Sequence, residues 1–310
     1  MREPTAERLP ADGSLPLPAT WHYLLVDGVR LTGAESTLYE LCDTPRYVNL
    51  FAGTDWADIK DVSPLLVQVD ASDLLIRAFL KTGFDAEWGI LLQSTATLDE
   101  IANHWRRFIT VQHPLGHEVM LRFSDPAVAR VLLTDGWTGP ESGFWGPISA
   151  ALLPDELDEC WHCIQAPGGK RDEGERERER KPSDRALNDR LVDQLTAADH
   201  RQTLRTLMQH LKQYFPQRLA LLPRSDTVRS LDQLISKAID NGFTSESALT
   251  HWATVFGYHG DVSQRQVAAD FYALLTESNG GNPDDTARQA AMLARQKTTD
   301  LRTENSGSES

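Results

Sequence analysis

Two cysteines and a histidine in the stretch CWHC are the residues of this sequence best suited to chemistry: Cys160, His162 and Cys163. Thiols at C-x-x-C spacing bind zinc or take part in thiol–disulfide exchange. A zinc site needs about four ligands, and the sequence has no second C-x-x-C pair. A thioredoxin-like motif would open a helix near the first strand–helix unit, whereas this stretch comes late in its lobe. We therefore expect no metal, no redox role and no cofactor.

The histidines of HPLGH, His113 and His117, have the i, i+4 spacing that chelates a metal ion on a helix. Pro114 and Gly116 disfavour a helix there, and the glutamate of a metalloprotease motif is missing, so that we predict a turn. The sequence also lacks the G-x-S-x-G, G-x-G-x-x-G and Walker patterns. We therefore expect a protein that is not an enzyme. A thiol-dependent enzyme using Cys160 or Cys163 remains the alternative.

A strand, a stop and a helix start follow one another in HEVMLRFSDPAVARVLL, residues 117–133. Alternating apolar residues up to Phe123 predict a strand with one buried face. Asp125 is placed to cap the next helix, and Pro126 stands where its missing N–H does no harm. We predict that Arg122 pairs with Asp125 across this elbow.

The composition describes an acidic protein without a membrane signature. Its 310 residues are 40% hydrophobic, enough for real cores, and carry a formal net charge of −14. That charge argues against nonspecific nucleic-acid binding and against anionic membrane surfaces. No apolar run approaches the ~20 residues that span a bilayer, the amino end has no signal-peptide core, and three cysteines make no disulfide framework. We expect a cytoplasmic protein whose partners are neither nucleic acid nor membrane.

Strands and helices alternate over residues 21–133, which predicts an α/β lobe, a mixed sheet with flanking helices. Ser72 is placed to cap the helix DLLIRAFLKTG, and Gly83 to end it. Thr97 and Glu100 have the spacing of a capping box at the start of the following helix.

The second half of the chain has the pattern of a small all-α lobe. Residues 167–185 are almost without apolar side chains and cannot build a core. Beyond them, four stretches carry apolar residues at helical spacing. Gly242 and Gly257 are expected to end the second and third helices, and Ile239 to lie on the apolar stripe. The predicted organisation is a disordered amino terminus (1–19), an α/β lobe (20–165), a charged linker (166–186), a helical lobe (187–277) and a mostly disordered tail (278–310) with a short helix around Ala290.

Five stretches stand in one characteristic order: LLVDGVR, SPLLVQV, WGILLQSTATLDEIANHWRRFITVQHPLG, VMLRFSDPAVARVLL and GFWGPI. This order resembles domain of unknown function 4123, a family of adaptor chaperones that load toxic effectors onto the type VI secretion spike. The resemblance covers about residues 22–150, and the helical lobe resembles the variable carboxyl lobe of these chaperones less specifically. It is carried by Trp88, Gly89, Leu92, Ser94, Pro114, Gly116, Arg122, Phe123, Asp125, Pro126, Trp145, Gly146 and Pro147.

The resemblance implies a non-catalytic protein that binds a cognate secreted toxin and hands it to the spike protein VgrG. Arg122, Asp125 and Pro126 are then expected to fix the geometry of the elbow, while aromatic rims and a cleft between the lobes hold an effector segment. A plain scaffold that joins two proteins is a further alternative. The candidate partner-binding or motif residues are Trp88, Arg122, Phe123, Asp125, Pro126, Phe144, Trp145, Gly146, Pro147, Trp252, Phe256 and Tyr258.

Overall fold

The computed structural model describes residues 4–11, 21–69, 74–134, 143–167, 186–221, 224–259 and 282–307. The chain divides into two compact units, residues 1–199 and 200–310. Ser72, most of the charged linker and the fourth helical stretch, residues 263–275, lie outside the described residues. The domain boundaries read from the sequence remain a prediction.

The first unit is built on a seven-stranded sheet. Its strands are β1 Thr5–Pro10, β2 Tyr23–Val26, β3 Tyr47–Asn49, β4 Leu65–Gln68, β5 Gly89–Ser94, β8 Ile148–Asp155 and β9 Cys160–Gln165, while β6 Thr110–Gln112 and β7 Glu118–Met120 form a separate hairpin. The sheet order is β1-β9-β8-β5-β2-β4-β3, and all ladders of this sheet between described residues are antiparallel. The predicted class, an α/β lobe with flanking helices followed by a helical region, is confirmed.

Short helices flank this sheet. They are α1 Ala34–Leu41, α2 Leu74–Ala78, α3 Phe84–Ala86, α4 Leu98–Arg106 and α5 Pro126–Thr134, with a 3-10 segment at Ala57–Val62. The predicted capping box at α4 is confirmed: the Glu100 N–H donates to Thr97 Oγ1 at 3.3 Å, and the Thr97 N–H donates to the Glu100 carboxylate at 2.8 Å.

Both faces of the central strands are buried, because each face supports its own core. Such strands read as continuous apolar runs rather than as alternating patterns. The core beneath α4 and α5 includes Leu25, Ile90, Leu92, Trp105, Phe123, Leu132 and Leu153. The opposite core, beneath α1 and α2, includes Leu24, Leu38, Leu75, Phe79, Leu91, Leu152 and Trp161.

The amino-terminal segment departs from the expectation that residues 1–19 are loose. Thr5–Pro10 forms β1, an edge strand on β9, although most of its side chains are exposed. Backbone hydrogen bonds hold β1 rather than apolar burial, so that the sequence carries little signal for it. Arg8 adds an ion pair with Asp158, with an Nη2–Oδ2 distance of 3.4 Å.

Gly83 does not end its helix as the sequence predicts. The helical path continues from α2 through a π-helical turn, Phe79–Gly83, into α3, and ends at Glu87, which has φ 48°. A Cβ on Gly83 would lie 2.2 Å from the Phe79 ring. The glycine is therefore required for close packing inside the helical run and not for its termination.

The second unit contains helices whose apolar stripes match the sequence pattern. α6 Asp189–Tyr214 begins in the first unit, where Leu191 and Ala198 join the core of α4 and α5, and its later residues belong to the second unit. The other described helices are α7 Pro216–Leu219, α8 Arg224–Asp240, α9 Glu246–His259 and α10 Pro283–Gly307. No helix among the described residues is long and apolar enough to cross a membrane.

Three details of the second unit correct the sequence predictions. Gly242 ends α8 with φ 87°, as predicted, but Ile239 remains 44% exposed. α9 continues past Gly257 to His259. Gly257 is needed for packing rather than for ending the helix, because the Phe215 ring lies where its Cβ would stand. In place of a mostly disordered tail, α10 packs along α9. Among residues 282–297, for which burial is described, the buried side chains of α10 are all alanines, Ala287, Ala290, Ala291 and Ala294, which give a weak hydrophobic signal.

Candidate functional site

Four charged side chains meet where β2 ends and α5 begins; we call Asp27, Arg30, Arg122 and Asp125 the elbow cluster. Asp27 follows β2 directly and is fully buried. Its Oδ1 accepts hydrogen bonds from the backbone N–H of Val29 at 2.9 Å and of Arg30 at 3.1 Å. Its Oδ2 lies 2.8 Å from Arg122 Nη2. One carboxylate thus closes the turn after β2 and pairs with a distant part of the chain.

Asp125 caps α5, which confirms the prediction from the Asp-Pro step. Its Oδ1 accepts hydrogen bonds from the N–H of Ala127 at 3.0 Å and of Val128 at 3.3 Å. Pro126 is the first residue of α5, where it gives up no intrahelical hydrogen bond. Both side chains are buried, so that the elbow is a fixed corner of the lobe.

The predicted ion pair between Arg122 and Asp125 is present, but Arg122 makes a shorter one with Asp27. Arg122 Nη1 lies 3.9 Å from Asp125 Oδ2, whereas its other terminal nitrogen is much closer to Asp27. Arg30 Nη2 lies 3.8 Å from the same oxygen of Asp125. Sequence reasoning missed Asp27 as the main partner, because the spacing of residues along the chain does not relate Asp27 to Arg122.

The elbow cluster offers positive charge at its surface. The Arg122 side chain is 31% exposed, whereas the two carboxylates beneath it are buried. Asp199 on α6 responds to the same charges: burial and Asp125 raise its pKa, and Arg122 opposes that rise. The cluster has no thiol, hydroxyl or imidazole. It can fix the corner between β2 and α5 and present a guanidinium to an anionic group.

The aromatic motif residues of this unit lie in its cores. Trp88, Phe123, Phe144 and Trp145 are all buried. Phe144 stacks on Trp105 with ring centroids 5.9 Å apart, and Trp145 Nε1 donates to the Leu133 carbonyl at 2.9 Å. These side chains form part of the cores of the lobe. They therefore do not form an aromatic rim for an effector segment.

The Gly-Pro step after Trp145 is fixed by close contacts. Gly146 has φ 47°, and a Cβ there would lie 2.2 Å from His104 Nε2. Ser94 Oγ donates to the Pro147 carbonyl at 2.7 Å, which ties this step to the end of β5. Sequence reasoning did not single out His104, whose buried ring explains why a glycine is needed here.

Residues 22–142 match the family model of DUF4123, a domain of unknown function. We refer to these residues as the DUF4123 domain, after the family model that they match. The matched residues include the whole elbow cluster. A relative from Vibrio cholerae serotype O1, named accessory protein VasW, is 28% identical over 275 residues, which are 88% of each chain. No solved structure matches this chain.

Outside the DUF4123 domain, the aromatic candidates of the second unit also pack internally. Trp252 and Phe256 are buried on α9, and Trp252 contacts the ring of Phe243. Tyr258 is partly exposed and meets Phe215 edge to face, with ring centroids 4.8 Å apart. Contact of Tyr258 with a partner remains a prediction.

The CWHC stretch lies in β9, after the DUF4123 match, and it does not form a catalytic triad. His162 Nε2 lies 2.9 Å from Asp155 Oδ2 and 3.7 Å from Cys160 Sγ. In a nucleophile–His–Asp relay the two ring nitrogens face different partners. Here the same nitrogen faces both, which gives the imidazole no path for relaying a proton between them.

Cys163 does not complete a C-x-x-C pair with Cys160. Residues three apart on a strand point to opposite faces, and Cys163 packs beside the core of α1 and α2. Burial raises the pKa of the Cys163 thiol, the reverse of what activates a nucleophile. Neither redox exchange nor shared coordination within the pair fits this geometry.

The two histidines of HPLGH lie in a turn, as predicted, although it joins β6 to β7 rather than a helix to a strand. Their rings stack with centroids 4.6 Å apart. His113 Nδ1 accepts a hydrogen bond from the Leu115 N–H at 3.2 Å. Gly116 has φ 85°, which the turn requires and which glycine adopts readily.

Proposed function

We propose that this chain is an adaptor chaperone of type VI secretion, which binds a cognate toxin effector and helps to load it onto VgrG. The observation that carries the proposal is the DUF4123 match over residues 22–142, which includes the elbow motif on which the resemblance to these adaptors rests. The relative of similar length, named an accessory protein, agrees with an auxiliary role.

The geometry of the first unit supports a binding role without catalysis. Motif residues with reactive side chains are used to fix a corner: Asp27 and Asp125 are buried, and each accepts two backbone hydrogen bonds. The partly exposed Arg122 guanidinium can pair with a carboxylate of a bound protein. We propose that the DUF4123 domain recognises its partner by shape and by this charge.

Co-purification with the protein encoded next to this chain tests the proposal. The two proteins are co-expressed, the chain is captured by a tag, and the complex is sized by gel filtration; VgrG is then added. We expect a stable complex with the neighbouring toxin and weaker retention by Arg122→Gln. Arg77→Gln, a change of an exposed arginine on α2, is the matched control. A monodisperse chain that retains neither the toxin nor VgrG would contradict the proposal.

Two further measurements separate the alternatives. Toxin levels should fall in cells that lack this chain if it is a chaperone, and should stay unchanged if it only joins two proteins. Replacing Cys160 and Cys163 by serine should leave toxin binding intact, whereas a thiol-dependent enzyme would lose its activity.

A further inference from the structure

The turn between β8 and β9 brings together three potential metal ligands, which we call the hairpin cluster: Asp155, Cys160 and His162. Asp155 stands opposite Cys160 in the ladder, and all three residues are buried. Their ligand atoms lie within 4.8 Å of one another. The C-x-x-C spacing offers Cys163 as a candidate ligand, and no metal is expected from it; the pairing of the two strands brings Asp155 to the site instead.

One imidazole nitrogen faces every other group of this site. His162 Nε2 lies 2.9 Å from Asp155 Oδ2, 3.7 Å from Cys160 Sγ and 2.9 Å from Arg130 Nη1 on α5. Arg130 Nη1 also lies 3.0 Å from Asp155 Oδ2. One positively charged group therefore occupies the point on which the imidazole nitrogen and the carboxylate oxygen converge.

The spacing also fits a small divalent ion. Bonds of about 2.0–2.3 Å in a tetrahedron separate the ligand atoms by roughly 3.3–3.7 Å. The nitrogen–sulfur distance of 3.7 Å already lies at this spacing, and the nitrogen–oxygen distance of 2.9 Å needs only a small turn of the Asp155 carboxylate. Nitrogen, thiolate and carboxylate together are the donor set that zinc prefers.

We propose that Asp155, Cys160 and His162 bind a divalent ion of the zinc class, with a water molecule as the fourth ligand, and that Arg130 is the alternative counter-charge for the same groups. The Arg130 side chain is 30% exposed, so that its guanidinium has a path to water when an ion takes its place. Carboxylate and thiolate then neutralise the two charges of the ion. The ion joins the two strands of the hairpin at their turn.

Neighbouring donors support the ligands from outside. Arg8 Nε donates to Cys160 Sγ at 3.4 Å, and the Asp158 N–H donates to Asp155 Oδ1 at 2.9 Å. Such contacts orient metal ligands in known sites.

Titration of the full-length chain with Co²⁺ and Zn²⁺ after chelator treatment tests the site. Co²⁺ should give a thiolate charge-transfer band at one equivalent, and Zn²⁺ should raise the thermal midpoint. Cys160→Ser should abolish the band and weaken Zn²⁺ binding by more than about 100-fold. This loss exceeds the one expected when a residue that only hydrogen-bonds to a metal ligand is removed. Cys163→Ser, on the same strand but the opposite face, is the matched control and should retain both the Co²⁺ band and the Zn²⁺ affinity. Arg130→Gln should bind Zn²⁺ more tightly than the native chain does, because the competing guanidinium is removed.

The outcome does not depend on the folding of the Cys160 variant. In the double variant Cys42→Ser/Cys163→Ser, Cys160 is the remaining cysteine of three, so that any thiolate band belongs to it. A band in this variant supports the site. If the thiolate band is absent from all three proteins (this double variant, the native chain and Arg130→Gln), the proposal is overturned. Arg130 is then the permanent cation of the hairpin cluster.

Discussion

A single buried carboxylate, Asp27, makes Arg122 indispensable to the corner of the DUF4123 domain. Arg122→Ala leaves Asp27 buried with only two backbone hydrogen bonds, and we expect a loss of about 2–3 kcal/mol in the free energy of unfolding. Urea denaturation followed by tryptophan fluorescence measures this loss. Arg77→Ala should change the stability by less than about 0.5 kcal/mol. Equal effects of the two changes would contradict the role of the Asp27–Arg122 pair.

Two motif glycines with positive φ should respond differently to the same change. Gly146→Ala combines φ 47° with a clash against the buried His104 ring, so that we expect a loss of at least about 3 kcal/mol. Gly116→Ala has φ 85° but open space around it, and should cost about 1 kcal/mol of backbone strain. Thermal unfolding of both variants checks the difference. Similar losses would show that the contact with His104 is not decisive.

What the sequence reveals about single residues depends on how far their partners lie along the chain. Asp125 and the Thr97–Glu100 box act within three residues, and their hydrogen bonds follow from the local pattern. Asp27 meets Arg122 only because the sheet places the end of β2 beside the elbow. Spacing in the sequence cannot supply that contact.

Among the helices, α10 owes its place to alanines that permit a close approach to α9. Ala290→Asp would bury an unpaired carboxylate, and we expect the second unit to lose about 2–4 kcal/mol of stability. Met292→Asp, two residues on, changes a side chain that is 63% exposed and should be nearly neutral. Circular dichroism during urea denaturation compares them. A neutral Ala290→Asp would contradict the packing of α10.

The contact between α6 and α9 should make stability depend on pH through His210. Burial and His251 lower the pKa of His210, whose Nε2 lies 3.0 Å from Thr254 Oγ1. The unfolded chain therefore binds the proton first, and stability present above about pH 6.5 is lost as the pH falls toward the lowered value. Denaturation midpoints at pH 7.5 and 5.5 should differ less in His210→Gln than in the native chain. An unchanged difference would contradict this assignment.

The elements that the sequence predicts well are those that bury large side chains. The central strands and the stripes of α6, α8 and α9 show continuous or periodic apolar residues, because each supplies leucines or aromatics to a core. β1 is held through its backbone and α10 through alanines, so that neither produces such a pattern. Gly83 and Gly257 read as helix ends, since the sequence does not show that the rings of Phe79 and Phe215 pack on them.

For the molecule as a whole, the two units should respond to mutation independently. Arg122 belongs to residues 1–199 and Ala290 to residues 200–310. The losses caused by Arg122→Ala and Ala290→Asp should therefore add within about 0.5 kcal/mol in the double variant. Denaturation of the four chains completes this cycle. A coupling above about 1 kcal/mol would contradict the independence of the units.

The overall class of the first unit follows from composition and order of elements, but its sheet topology does not. Alternating strands and helices are compatible with parallel crossovers, whereas the described ladders of the seven-stranded sheet are all antiparallel. Some connections are too short for right-handed crossovers, which indicates from the sequence alone that not every strand is parallel. The role of α6 in both units was also hidden, because its pattern runs unbroken past Asp199.

β1 shields the outer edge of β9 along six residue pairs, from Thr5 opposite Gln165 to Pro10 opposite Cys160. A recombinant chain started after Pro10 would leave the N–H and C=O groups of that edge unsatisfied. Open edges of this kind recruit further strands, so that such a preparation would be prone to self-association and precipitation. Affinity tags and truncations for crystallisation should therefore leave Thr5–Pro10 intact and unobstructed.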